Sequence, residues 1–254
     1  MKTTFIKTMA LAASAVVYSH AIFGIGGQWA PAPGLEVKAD RNAIAGTGAN
    51  QIFINQAKVS GLNGFGLKLW IDALPFVDLE AGSNVQLGYY DVSVIGPGAG
   101  DSTALKFDLK VPGVSGKPAF ARIVSDVTVL YPFLKFPPVI SIVKVYAGAG
   151  ITHVLATEVL NSAFGKSAVD AAIAKNGATA ANSPEKVSAI LIDAIKAEGL
   201  KSGIGFHLEL GAKAKVPVIP IAVYADAKYH FLSSMPKAVD ANSLTYELGA
   251  ALAF

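Results

Sequence analysis

Strict alternation of apolar and polar residues recurs along this chain, and it limits the fold more than any other feature. Residues 64–73 read G-F-G-L-K-L-W-I-D-A, with Phe65, Leu67, Leu69 and Ile71 in one phase and Lys68, Trp70 and Asp72 in the other. Successive side chains of a strand point to opposite faces, so period two predicts a strand with one apolar and one polar face. The same rhythm covers residues 77–87, 121–131, 143–152, 204–213, 223–231 and 244–254. A less regular first strand spans 22–30, with Phe23, Ile25 and Trp29 in phase. Eight strands are therefore expected.

Their connections alternate in length. Three are short and marked by proline, around Pro75, within 132–138 and within 217–220. Proline cannot donate to a ladder and belongs at strand ends and turns. Four are long: 31–63, 96–118, 155–202 and 232–242. Short turns at one end and long loops at the other are the mark of an up-and-down transmembrane barrel. Leu105, Phe107, Leu109 and Val111 also alternate with polar residues. A ninth wall strand there would put the proline turns on the wrong side, so the segment reads as a hairpin projecting above the wall. A ten-strand barrel, pairing it with 51–59, is the competing count. The phase slips at Tyr89-Tyr90, where a bulge or an exit from the membrane is expected.

Composition fits this reading. Of 254 residues, 52% are hydrophobic and only 15% charged, with a mean hydropathy of +0.47. An ordinary soluble domain carries about 25% charged residues. Yet after the N-terminus no run approaches the roughly 20 apolar residues of a spanning helix. The most apolar later stretch, 216–225, is short and broken by Pro217 and Pro220. The absence of cysteine excludes disulfides, zinc-thiolate sites and thiol catalysis, and a net charge of +3 is too small to suggest a nucleic-acid partner.

The N-terminus has the three parts of a secretory signal: Lys2 and Lys7, a short apolar stretch over 8–18, and Ser19-His20-Ala21 with small residues at −3 and −1. Cleavage after Ala21 is expected, giving a signal peptide at 1–21 and a barrel at 22–254. The mature chain then carries 19 basic and 18 acidic residues. Two helices are expected in a loop insertion at about 157–200. Ser183, Pro184 and Glu185 open one of them, whose apolar stripe is Val187, Ile190, Leu191, Ala194 and Ile195, and Gly199 stops it. A shorter helix is placed at 168–175, capped by Ser167 and ended by Gly177. The stripe needs a partner, either the other helix and the barrel rim or a further molecule.

Periodicity does not say which face meets water. Three features favour an apolar outside. The apolar faces carry no charge. The polar faces are rich in glycine (Gly66, Gly82, Gly148, Gly150, Gly205, Gly211, Gly249), as a crowded narrow interior needs. Phe76, Tyr89, Tyr90, Tyr131, Phe133, Tyr229 and Phe231 lie near strand ends, as an interfacial girdle does.

The last segment ends in Phe254, with apolar residues at every second position before it, among them Tyr246, Leu248 and Leu252. It resembles the terminal signature of Gram-negative outer-membrane β-barrels. The mature chain looks like a small barrel of the OmpA-transmembrane or OmpW-like size class. Gly26-Gly27 is also similar to the opening of an uncharacterised outer-membrane family with Gly-Gly near the mature start. The resemblance implies location in the cell outer membrane, with outer-membrane lipid and the barrel-assembly machinery as partners. Tyr246, Leu248, Leu252 and Phe254 would then serve as the assembly signal.

The inward polar set is Lys68, Asp72, Asp78, Glu80, Arg122, Asp126, Lys144, His207, Glu209, Lys213, Asp226, Lys228, His230 and Glu247. It reads as a polar network in the lumen, because an eight-strand barrel is just filled by side chains and buried charges survive only when paired. His207 with Glu209, and His230 with Asp226, have the spacing of an acid–base or metal pair, but no third ligand or nucleophile is evident. No catalytic residue, metal or cofactor is assigned. The glycine run at 96–103 lacks a Gly-Lys-Ser/Thr and reads as a loop.

The expected function is structural, or a narrow passage for small molecules, apolar ones included. Two other classes compete. In a secreted lipocalin-like barrel the apolar face would line a ligand cavity; a barrel enzyme would act on membrane lipid. The facing of Leu67, Leu69, Leu208 and Leu210 separates the first of these.

Overall fold

In the computed structural model, the described residues are 23–72, 76–97, 106–109, 117–136, 142–216, 219–233, 235, 236, 238–240 and 242–254. The expected signal peptide and most of the 98–116 stretch lie outside them.

Eight strands form the wall: β1 (Phe23–Trp29), β5 (Val59–Ile71), β6 (Asp78–Tyr89), β9 (Ala119–Phe136), β10 (Val143–Ala156), β11 (Lys201–Lys215), β12 (Ile221–Leu232) and β13 (Asn242–Ala253). Each is antiparallel to its neighbours, and β1 pairs with both β13 and β5, which closes the barrel. The seam is sealed at the chain end, where Phe23 and Phe254 exchange backbone hydrogen bonds of 3.0 and 2.8 Å. Both lie at the short-turn end, as an even strand number requires. Closure leaves no wall strand with an unpaired edge.

The faces are inverted relative to a soluble barrel. Leu67, Leu69, Leu208 and Leu210 are 65, 40, 53 and 57% exposed on the outside. Their charged strand neighbours Lys68, His207 and Glu209 are buried inside. A lipocalin-like barrel with an apolar cavity is thereby overturned, because the leucines that would line its cavity point away from it. The chain is an all-β, eight-stranded, antiparallel, up-and-down barrel of transmembrane type with a helical insertion in its third long loop.

The remaining strands stand above the wall. A second sheet runs β3 (Asp40–Ala45), β4 (Ile52–Gln56), β7 (Val92–Ile95), β8 (Lys106–Asp108). Here β8 pairs with β7 as a projecting hairpin, and β4 pairs with β3 and β7. The ten-strand count therefore fails: β4 (Ile52–Gln56) and β8 (Lys106–Asp108) pair outside the barrel. The break at Tyr90 and Asp91 explains why. It turns Val92 and Val94 from the wall phase into the core of this upper layer. β2 (Ala32–Val37) pairs with the upper part of β5.

Two helices lie against the upper sheet. α1 (Ser162–Asn176) packs on β3 and β4; α2 (Pro184–Ala197) packs on α1 and reaches β7 and β8. α1 begins six residues earlier than expected. Its cap is Asn161, whose side chain accepts from the Phe164 N–H at 2.9 Å, while the Asp40 carboxylate accepts from the Ser162 N–H at 2.6 Å. An acid at a helix N-terminus also meets the positive end of the helix dipole. Gly165 within α1 sits closely against Ile44 and Leu191, where a side chain would crowd. α2 is capped by Ser183 with Pro184 at its start, as its sequence indicates.

The second short turn also differs in detail from expectation. β9 runs through Pro132 to Phe136, where a turn was expected. A bulge near Phe133 absorbs the irregularity: Val145 faces Leu134, while Tyr146 faces Pro132. The extra residue resets the phase, so Phe133 and Leu134 are both exposed.

Candidate functional site

Among the described residues the buried charge is collected in the lumen, and the strand register stacks it in tiers. At the short-turn end, Asp72 meets three lysines: Lys215 at 2.9 Å, Lys144 at 3.1 Å and Lys213 at 3.5 Å. Lys144 also pairs with Asp78 at 3.1 Å. The Lys213 ammonium lies 4.0 Å from the Trp70 ring centroid, a cation–π contact that helps hold it away from water.

The next tier has two lysines among five carboxylates. Lys68 reaches Asp226, Glu80 and Glu247 at 2.5, 2.7 and 2.8 Å. Lys228 reaches Asp126, Glu80, Glu247 and Glu209 at 2.8, 3.1, 3.2 and 3.6 Å. Both lysines are 0% exposed. Tyr146 donates its hydroxyl to Asp226, and Asn84 donates to Glu247 at 2.6 Å. Glu80, Glu209 and Asp226 offer oxygens within 4.8 Å of one another, a spacing that suits a metal ion. The Lys68 ammonium stands among these same three groups, so the chain supplies its own cation there.

Above this the partners change from carboxylates to hydroxyls and amides. His207 Nε2 and Nδ1 each lie 2.8 Å from a threonine hydroxyl, of Thr128 and Thr152. His230 Nδ1 lies 3.1 Å from Thr152. The spacing that suggested His207 with Glu209 and His230 with Asp226 produces neither hydrogen bond; the nearest approach for His207 is 3.9 Å. Arg122 donates through Nε to Gln86 at 2.6 Å and through Nη1 to Ser243 at 3.0 Å.

Glycines make room for these side chains. A Cβ on Gly24 would come within 2.2 Å of the Trp70 ring, and one on Gly249 within 2.3 Å of the Tyr224 ring. All fourteen inward polar residues named from the sequence thus line one lumen. Thirteen are buried; Asp72, at the mouth, keeps a side chain only 3% exposed.

The fourth tier is apolar, and the sequence reading missed it. Phe120, Val124, Val154 and Leu232 close the upper lumen and merge with Leu35, Ile54, Val94, Leu160, Val187 and Leu191 in one continuous core. The long loops thus fold into a cap rooted in the barrel. The α2 stripe is spent here, on the cap rather than on a further molecule. Tyr90 belongs here as well and not to the aromatic girdle. It is buried, and its hydroxyl accepts from the Leu160 N–H at 3.1 Å. Burial pushes that hydroxyl up to about 12. The girdle itself is represented at the short-turn end by exposed Phe76, Tyr131 and Phe133. A weak trace of the cap was present in Ile52, Ile54 and Gln56, which alternate over too few residues to declare a layer.

No known family model and no curated protein matches this sequence. Among solved structures, the outer membrane protein OprG from Pseudomonas aeruginosa superposes with a TM-score of 0.51 at 12% identity, over 91% of this chain and 95% of that one. The fold is that of a small eight-stranded outer-membrane barrel. Neisserial surface protein A and the attachment invasion locus protein Ail of Yersinia pestis also match, with TM-scores of 0.43 and 0.40 at 12 and 13% identity. Those matches cover 91% of this chain and 97 and 96% of theirs.

Proposed function

We propose that this protein is a structural barrel of the cell outer membrane, exported by its N-terminal signal, with a plugged lumen and a folded cap at the long-loop end. The observation that carries this reading is the burial of Lys68 and Lys228 at 0% exposure among five carboxylates. These groups fill the cross-section where a conduit would need water. An eight-strand barrel has an interior just wide enough for its side chains, whereas porins with an aqueous channel use about 16 strands.

The exposed leucine and aromatic belt supports lipid as the solvent of the wall. Tyr246, Leu248, Leu252 and Phe254, all outward on the closing strand, suit recognition by the barrel-assembly machinery. The role is non-enzymatic in this reading, and the lumen residues act as filler and cross-links. A narrow passage for small apolar solutes is the reading it displaces.

Reconstitution in a planar bilayer tests the proposal. The protein should remain in the membrane after a carbonate wash, migrate heat-modifiably on a gel, and show no steady conductance. Sustained ion conductance would replace the plug with a channel. Release by carbonate would remove the membrane from the account altogether.

A further inference from the structure

Away from the strand ends, the outward positions of the wall among the described residues are aliphatic, aromatic or glycine, with one exception. Ser83, Ser125 and His153 stand side by side on β6, β9 and β10, in direct register. Ser83 is exposed and half-way along β6, where the wall meets the middle of the hydrocarbon. A polar group at that depth is costly and usually marks a contact. Barrel strands tilt by roughly 35–45°, so a row running across them climbs. Its upper member His153 lies close to the long-loop end of β10, where His153 Nε2 is 2.9 Å from Ser202 Oγ.

The lower pair is incompletely bonded. Ser83 Oγ and Ser125 Oγ lie 3.0 Å apart. Each hydroxyl has one proton to donate and two lone pairs. Their contact uses one of the two protons, and the other meets no acceptor among the described residues. Hydrocarbon holds no water to take it.

We propose that this face is the contact between two copies of the chain, related by a two-fold axis along the membrane normal that passes between Ser83 and Ser125. A two-fold contact sets one patch against itself, so a spare donor and spare lone pairs on each copy complement each other. The hydroxyls of both copies meet at the axis, and each donates to the next around a ring, so no proton is left over. A lipid chain offers neither donor nor acceptor to such a pair. Shape favours a second copy as well. Because the rows tilt, those of the two copies cross. Exposed Leu67, which faces Ser83 in the β5–β6 register, then comes over Ala81 and Val127 of the other copy. Ala81 adds little bulk there, and Val127 lines a cavity of about 320 Å³ with Ile151 and Ile204, which gives the leucine a seat. The inference rests on the membrane reading above.

The test uses the full-length protein, which has no cysteine of its own, in vesicles of phosphatidylethanolamine and phosphatidylglycerol. Ser83→Cys and Ser125→Cys place a thiol at the axis, whereas Ala225→Cys places one on the far side of the barrel. With a membrane-soluble oxidant, the first two should give disulfide-linked dimers and the third should not. Energy transfer between labelled copies is then followed as the protein is diluted with lipid. Ser83→Ala combined with Ser125→Ala should make the copies separate at about tenfold less dilution, the loss of the hydrogen bonds across the axis. That variant makes the wall more apolar, so its heat-modifiable migration should be unchanged. Leu67→Ala should also weaken association while leaving the hydroxyls in place. Equal linkage through Ala225→Cys, energy transfer unaffected by the double alanine variant, or separate copies at every dilution would overturn the proposal. Failure to insert into the vesicles would strike the membrane reading instead.

Discussion

At the scale of single residues, the lumen behaves as a set of mutual obligations. Lys228 answers four carboxylates, so its loss leaves several negative charges buried together. Lys228→Ala should destabilise the barrel by about 3–5 kcal/mol, read as a lower urea midpoint in lipid vesicles. No change in that midpoint would mean that water already reaches the site. Tyr90 offers a pH readout outside the membrane span. Its hydroxyl is raised from 10.0 to about 12 by burial, so the unfolded cap releases its proton before the folded cap does. Stability of the cap is therefore complete below pH 10 and falls as pH climbs toward about 12. Tyr90→Phe should remove that alkaline dependence. It should also cost about 1–3 kcal/mol at neutral pH, because the Leu160 N–H loses its acceptor. Hydrogen exchange of Leu160 against pH would measure both effects.

At the scale of elements, wall and cap obey different rules. Wall strands are fixed by period two and by ladder pairing on both sides. The helices depend on packing: Val187 and Leu191 are fully buried against the cap core. Leu191→Ala should cost about 2–5 kcal/mol and loosen the cap, with faster proteolysis within 157–200 and unchanged heat-modifiable migration. Loss of the barrel band would mean that wall and cap fold as one unit. The helix boundaries show how far local signals reach. Ser183-Pro184 marked the start of α2 correctly, because cap and first turn are adjacent in sequence. The start of α1 was misread because Ser167 is an equally good local cap, while Asn161 is selected by Asp40, which lies far away in sequence.

At the scale of the whole molecule, two seals lie in series along one axis: ion pairs below and an apolar core above. The lower seal is built from wall strands alone. Replacing residues 157–200 with a short turn should therefore leave a folded, non-conducting barrel whose upper lumen binds an apolar dye. Conductance in that variant would show that the cap is the true barrier. The single continuous core also explains why the long loops are not ordinary loops: Phe120, Val124, Val154 and Leu232 are wall residues whose apolar side chains need a roof.

By itself the sequence determined the eight wall strands, their two faces, the direction of each turn and fourteen of the polar residues inside, but not Lys215, which the barrel also buries against Asp72. Alternation over ten or more residues needs no knowledge of neighbours, and closure follows from the edges an open sheet would expose. Tertiary structure decided the rest. Periodicity alone left open which face turns outward; charge, glycine and aromatic placement favoured the apolar one, and the curvature of the closed sheet fixed it. The partners of His207 and His230 came from cross-barrel distances, not from spacing along one strand. The fate of Tyr90, the early start of α1 and the cap itself came from contacts between loops remote in sequence, where short segments carry no period of their own and are ordered only by the core they build together.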